Sequence, residues 1–442
     1  MIRFINILLV LLLFSTLKAQ ISPINNVIGI DITLPQNPSY TYDSAFIYSY
    51  QLGMRQIGLH FLWKSSIETS PRVYNLSFLD IANIYYPAIN VPVDLNIDPI
   101  ETNVLELPTD IALLSFTDTI VINRFKTLLD SIFIHIPNLE LSSLVIGSEI
   151  DAYLGTDSAL WAQYTSFYSI VSAYAKTLRP GLKVSCEATF PGLIGASSEY
   201  IQLLNVYSDI IGVSYYPLNG DFTVKPTNIV ATDFSNIVRL YPYKPIYYYQ
   251  LGYPSSSQCN SSEIKQSEFI SQVFQSWDTF ANNIKMIDFT WLHDWSPDAV
   301  NYWSSYYGIS DTSFLAFIGS IGLKNWNGTD KQSYNELKCQ AKQRGYNALS
   351  IICTNDIDIY NNNDFINIYP NPVLNELNIE YPFDIINTEI KMYNQLGQIE
   401  KDITDIKTRN IKIETSNLSN GLYFIIIQNG CTQIIRKIII DK

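Results

Sequence analysis

The stretch LSSLVIGSEIDAYLG, Leu141–Gly155, decides the fold. It opens as an apolar, β-branched run, meets a glycine, and closes on two carboxylates, Glu149 and Asp151. A short apolar run bounded by glycine reads as a buried strand. In the segment that follows, TDSALWAQYTSFYSIVSAYAKTL, the residues Leu160, Tyr164, Phe167, Val171, Tyr174 and Leu178 step by four and three, with Asp157 placed to cap the N-terminus. A buried strand that passes through a polar turn into an amphipathic helix is a βα unit.

The same alternation recurs along the chain. Further candidate strands are VIGIDIT from Val27, RQIGLHFLW from Arg55, VPVDLNI from Val91, KVSCEAT from Lys183, IIGVSYY from Ile210, KPIYYYQ from Lys244 and MIDFTWL from Met286. With Leu141 onward these make eight, which predicts an α/β fold, a (β/α)8 TIM barrel whose functional groups collect at the carboxyl ends of the strands. After Tyr346 the texture changes. CTNDIDIYNNND is polar and aperiodic and reads as a linker; the segment beyond it alternates apolar and polar residues in short runs, as a small antiparallel β-sandwich does. The expected boundaries are a signal peptide over 1–19, the barrel over 20–348, a linker over 349–364 and the sandwich over 365–442. The signal peptide is read from Arg3 ahead of INILLVLLLF and from LKA before Gln20. No later stretch is long and apolar enough for a transmembrane anchor, so the mature protein is expected outside the cytoplasm, secreted or at the cell surface.

Composition narrows the partners. The chain has 442 residues, 13% of them aromatic, and a formal charge of −13, which argues against nucleic acid because no basic stripe is available to neutralise phosphates. Five cysteines, Cys186, Cys259, Cys339, Cys353 and Cys431, lie far apart without CxxC spacing, and the three histidines show no metal spacing, so neither a metal site nor a cofactor is expected. There is no GxSxG elbow and no glycine-rich phosphate loop.

The strand ends offer an acidic and aromatic collection. Strand four supplies Ser148 and Glu149, strand five Glu187, strand six Tyr215 and Tyr216, strand seven Gln250, and strand eight Trp291, His293, Asp294 and Trp295; strands one and two add Asp31, His60 and Trp63. Aromatic faces stack on sugar rings, and a carboxyl among apolar neighbours can hold a proton near neutral pH. A polysaccharide or oligosaccharide is therefore the expected ligand.

VIGSEIDAYLG, followed about 100 residues later by YYQLGYPSS, resembles the clan A glycoside hydrolases, nearest the family 53 arabinogalactan endo-galactanases. GLKNWNGTDKQSYNEL, from Gly322, is similar to the way such barrels close. The resemblance implies that Glu149 is the acid/base and that Gln250 stands where a nucleophilic glutamate should be; Ser148 replaces the asparagine that would bind the sugar 2-hydroxyl. An amide cannot attack an anomeric carbon or supply the charge that stabilises an oxocarbenium-like transition state. Four readings stay open: a barrel that binds glycans without cleaving them, cleavage with Glu187 or Asp294 as second carboxylate, cleavage assisted by an N-acetyl group of the substrate, and a different register of strand seven. At the end of the chain, IYPNPVLNELNIE, YNQLGQI, LSNGLYFIII and RKIII occur in the order found in the C-terminal sorting domain of the Bacteroidota type IX secretion system. That resemblance implies that residues 365–442 engage the secretion machinery.

Overall fold

The computed structural model describes residues 26–38, 40–346, 367–380, 388–394, 398–404, 406, 408, 410–429 and 432–442. The expected signal peptide and linker, together with Cys353 and Cys431, lie outside the described residues.

All eight expected barrel strands form, at Val27–Ile30, Met54–Leu62, Val93–Glu101, Leu141–Ser148, Val184–Ser185 with Glu187–Thr189, Ile211–Tyr215, Ile246–Leu251 and Ile284–Phe289. Every ladder between them is parallel. Strand five is broken at Cys186. Its first half pairs with strand four and its second half with strand six, so the ladder begins and ends on the same strand and the sheet curls into a near-closed barrel. Cys186 is buried at that break and its thiol is free.

The helices cover the outside. Ser158–Leu178 starts where Asp157 accepts hydrogen bonds from the Ala159 and Leu160 amides. Its buried face is rotated from the expected stripe: Trp161, Tyr164, Phe167, Tyr168, Val171 and Ala175 are inside, whereas Leu178 is 36% exposed. The reason is that the helix packs against both the sheet and its neighbours, which widens the apolar arc toward Trp161 and Tyr168. The final helix of the barrel region, Gln332–Gln343, packs on Glu263–Thr279.

The barrel lumen is unusually polar. Along strand three, Leu95 and Ile97 join the apolar core, while Asp94 accepts hydrogen bonds from Gln56 of strand two and Ser143 of strand four. Ser143 and Ser185 both reach the Tyr249 hydroxyl, at 2.9 and 2.8 Å. A small apolar cluster of Val145, Ile210, Tyr249 and Met286 fills the remaining space.

Two local irregularities aim side chains at the mouth of the barrel. Gly147 has φ +83, a conformation that favours glycine, and an added Cβ would lie 2.4 Å from the Tyr164 hydroxyl. The strand therefore turns at Gly147, and Ser148 faces inward. In strand seven the register slips between Val213↔Tyr248 and Ser214↔Gln250, so Tyr249 is an extra residue. Such a bulge re-aims the next side chain. Strict alternation would put Gln250 on the outer face with Tyr248, which stacks on Phe234; the bulge turns it inward beside Ser214.

In the tail, Asn367–Tyr369, Glu376–Glu380 and Asn410–Glu414 form one antiparallel sheet, and Ile399–Ile403, Thr388–Asn394, Gly421–Asn429 and Thr432–Ile440 form another. Alternate residues such as Leu377, Ile379, Ile411 and Ile413 turn inward with Ile390, Met392, Ile425 and Ile438, as two packed sheets require.

Candidate functional site

Glu149 follows strand four directly and has φ 47 and ψ 39, a left-handed conformation that costs a non-glycine residue about 1–3 kcal/mol and is found where function over-determines the backbone. Its Oε2 accepts a 2.8 Å hydrogen bond from Thr102 Oγ1, and its Oε1 accepts from Ser214 Oγ of strand six. Thr102 is itself left-handed, with φ 51.

Beside Glu149 lies a connected polar network. Ser148 Oγ donates to Glu187 Oε2 at 2.9 Å, and Gln250 Nε2 reaches Ser148 Oγ at 3.2 Å and Glu187 Oε2 at 3.3 Å. Tyr216 donates to Gln250 Oε1 at 3.0 Å and lies 2.9 Å from Thr290 Oγ1. The expected nucleophile position is thus occupied by an amide whose oxygen and nitrogen are both engaged. Glu187 is fully buried, and its Oε1 has no hydrogen-bond partner among the described residues. Burial, and then the charge of Glu149, push its carboxyl well above the usual range.

Asp31 and His60 stand side by side near the mouth, flanking Gly58. Burial raises Asp31 to about 7. Trp291 meets Trp295 edge to face at 5.0 Å and packs, with Tyr216, against the cluster of Cys259, Phe314, Phe317 and Ile321 that roofs this side of the barrel.

Four expected site residues lie elsewhere. Trp63 is fully buried against Phe125, and its Nε1 donates to Glu68 at 2.9 Å. Tyr215 points between sheet and helices, where its hydroxyl donates to Asp233 at 2.8 Å and its ring meets Phe190 and Tyr248. His293 is buried and fastened by Nδ1 to the Thr33 carbonyl at 2.7 Å. Asp294, a candidate second carboxylate, is ion-paired with Lys331 at 2.7 Å. In each case the residue follows strand alternation or a structural partner away from the mouth.

Conversely, Glu101, Thr102, Ser214, Thr290 and Tyr307 belong to the site and are missing from the sequence-derived set. Strand three is expected to stop at Ile97, yet it continues through Pro99 to Glu101, where Glu101 aligns with Ser148. Tyr307 closes the helix Pro297–Tyr307 and donates to Glu101 Oε1 at 3.0 Å. Burial, and then the charge of Glu149, raise Glu101 to about 8. Asp98, just below it, is fully buried with no partner for either oxygen among the described residues. Among the described residues, no group of three or more His, Cys, Asp or Glu is arranged to hold a metal ion. A surface groove of about 550 Å³ near Thr232 and Gln272 contains no ionisable side chain.

These raised carboxyls set the pH dependence of folding. Asp94 and Asp151 are held at about 7 by burial, whereas an unfolded aspartate titrates near 4. Between those values the folded state binds more protons, so stability falls as pH rises, by about 1.4 kcal/mol per pH unit for each retained proton. His60 and His293, both near 4 in the fold, act in the opposite sense below about 6.5 but are outnumbered once Asp31 and Glu101 are included. The urea midpoint followed by circular dichroism is expected to be higher at pH 5.5 than at pH 8; the reverse order would show that these acids are ionised in the fold.

Residues 367–441 match the family model described as the secretion system C-terminal sorting domain. No curated protein sequence matches the chain. Among solved structures, the exo-β-1,4-mannosidase Op5Man5 from Opitutaceae bacterium strain TAV5 superposes with a TM-score of 0.55 at 13% identity, covering 74% of this chain and 60% of that one. A GH5_18 protein from Bifidobacterium longum subsp. longum gives 0.55 at 14%, covering 72% and 79%. A β-glucuronidase from Bacteroides uniformis gives 0.50 at 13%, covering 94% of this chain but only 46% of its own. At these identities the likeness is one of fold, to glycoside hydrolase (β/α)8 barrels. No helix among the described residues is long and apolar enough to cross a membrane. The protein carries a type IX sorting domain that directs it to the cell surface or beyond, behind a barrel built like those of glycoside hydrolases.

Proposed function

We propose that the exported barrel acts on a polysaccharide or oligosaccharide at a pocket centred on Glu149, in the manner of a retaining glycoside hydrolase weakened at the strand-seven position. The observation that carries this reading is Glu149 itself: a left-handed glutamate at the end of strand four, gripped by the hydroxyls of Thr102 and of Ser214, the residue that aligns with Gln250 in the next strand. Asp31, His60, Trp291 and Trp295 are the candidates for sugar contacts around it. The narrower assignment to family 53 endo-galactanases rests on the strand-end motifs alone. In this reading residues 1–19 are a signal peptide, 20–348 the barrel, 349–364 a linker and 365–442 the export module.

A second reading, a non-catalytic surface glycan-binding protein, is favoured by the engagement of both ends of the Gln250 amide with Tyr216, Ser148 and Glu187. The deciding experiment is sugar release by the mature chain from a panel of plant and microbial polysaccharides, with Gln250→Glu run beside it. Release by the native protein supports a hydrolase that works without a strand-seven carboxylate. Release only by Gln250→Glu supports a binding protein on a disarmed barrel, and silence from both with no glycan bound removes the reading.

A further inference from the structure

We propose that Glu101, at the end of strand three, is the proton-donating partner of Glu149; the inference rests on the glycan-hydrolysing reading above. A glycosidase needs two carboxyl groups, one to give a proton to the leaving oxygen and one to attack the anomeric carbon or activate water. Gln250 cannot be either. Glu187 is fully buried under Ser148 and Gln250, and Asp294 is consumed by Lys331. Glu101 is the carboxyl that shares a hydroxyl with Glu149.

Its geometry fits a pair with Glu149. One hydroxyl joins them: Thr102 Oγ1 lies 2.8 Å from Glu149 Oε2 and 3.4 Å from Glu101 Oε1. The two carboxyls are therefore no further apart than two hydrogen bonds, which suits the spacing of about 5–5.5 Å in retaining enzymes better than the 6.5–9.5 Å that leaves room for an inverting water. Their surroundings differ. Glu149 accepts from two hydroxyls, Thr102 and Ser214. Glu101 faces Glu149 from strand four, Glu187 from strand five, Asp98 and Glu106 from its own strand and hairpin, and the phenols of Tyr306 and Tyr307 from the overlying helix; Lys64 lies 4.0 Å from Glu106. Burial, and then the charge of Glu149, raise Glu101 to about 8 against the opposing pull of hydrogen bonds from Tyr307 and Ser148. Of two carboxyls that share a hydroxyl, the one whose surroundings hold its proton is the one placed to donate it. Independently, Oε1 of buried Glu187 has no hydrogen-bond partner among the described residues, which leaves hydrogen-bonding capacity beside this pair.

The step balances without further reagents. Glu149 Oε attacks the anomeric carbon as the bond to the leaving oxygen breaks; that oxygen keeps the electron pair and takes the Glu101 proton. A glycosyl ester on Glu149 and a Glu101 carboxylate result. Water then attacks the anomeric carbon, Glu101 accepts its proton, and the ester bond breaks to restore Glu149. This exchanges the role that the clan resemblance implies for Glu149.

The test is leaving-group dependence in the mature full chain. Glu101→Gln is expected to lower kcat/KM on glycan at least ~100-fold, to leave kcat/KM on dinitrophenyl glycosides, whose departure needs no proton, within about tenfold, and to abolish the fall in kcat/KM on glycan as pH rises through about 8. Glu149→Gln is expected to lose both substrates. Should Glu101→Gln not fold, Glu101→Asp keeps the acid and is expected to slow glycan cleavage while retaining the alkaline limb. If the Glu101 variants keep full activity on glycan, or lose both substrates in parallel while folded, the proposal is overturned and the hydrolase reading stands. If the native protein cleaves neither substrate, both fall together, and oligosaccharide binding decides whether the binding reading survives.

Discussion

Glu149→Gln is expected to reduce sugar release by about 10²–10⁴-fold while oligosaccharide affinity changes by less than about threefold. The glutamine keeps the shape of the side chain and one oxygen that can still accept a hydroxyl hydrogen bond, but it has no charge and no transferable proton. Thr102 and Ser214, whose hydroxyls both donate to the carboxylate, retain one acceptor between them, so the backbone conformation at φ 47 is preserved. The check is kcat on released sugar together with affinity by calorimetry. Loss of both in parallel would mean that Glu149 mainly positions ligand. An unchanged rate would remove it from the reaction altogether.

Lys331→Met is expected to carry the largest cost in stability, about 3–5 kcal/mol. Lys331 is 1% exposed, and its ammonium donates to Asp294 at 2.7 Å and to the carbonyls of Ser320 and Gly322 at 3.1 and 2.9 Å. Methionine fills the space but strands a buried carboxylate and leaves two carbonyls without that donor. Burial already raises Asp294 to about 6 against the pull of Lys331, so the lone carboxyl would take up a proton more readily still. The loss is therefore smaller at pH 5 than at pH 8, and thermal unfolding at the two values reads it directly. Adding Asp294→Leu to Lys331→Met should recover most of the loss, because replacing both members of a buried pair is far cheaper than removing one. A destabilisation below ~1 kcal/mol at pH 8 would show that water reaches the pair.

The pocket also explains how a carboxylate-rich barrel tolerates its own charge. Asp94, Asp98, Glu101 and Glu187 are all raised, each with burial as the leading cause. Burial opposes ionisation of each of these acids, which limits the repulsion among them.

The sequence by itself determined the eight strands, because each is an apolar run bounded by polar or glycine punctuation, and that pattern is local. It likewise determined the Asp157 cap, the closing helix after Gly322, the alternating tail, and the placement of Glu149, Ser148, Gln250 and Tyr216 at strand ends. Only the tertiary structure decided which side chains those ends present. Tyr215 and Tyr216 are adjacent letters, but alternation sends one ring to the helices and the other to Gln250. Gln250 faces the mouth because a bulge at Tyr249 breaks the period of two, and a bulge belongs to a pair of strands rather than to one segment. The apolar run of strand three ends at Ile97, yet the strand continues to Glu101 because its neighbours in the barrel hold the backbone extended. Asp294 reads as a free carboxylate at a strand end until the closing turn brings Lys331 to it. Each of these outcomes is set by a partner distant in the chain, and contacts of that kind exist only once the barrel has closed.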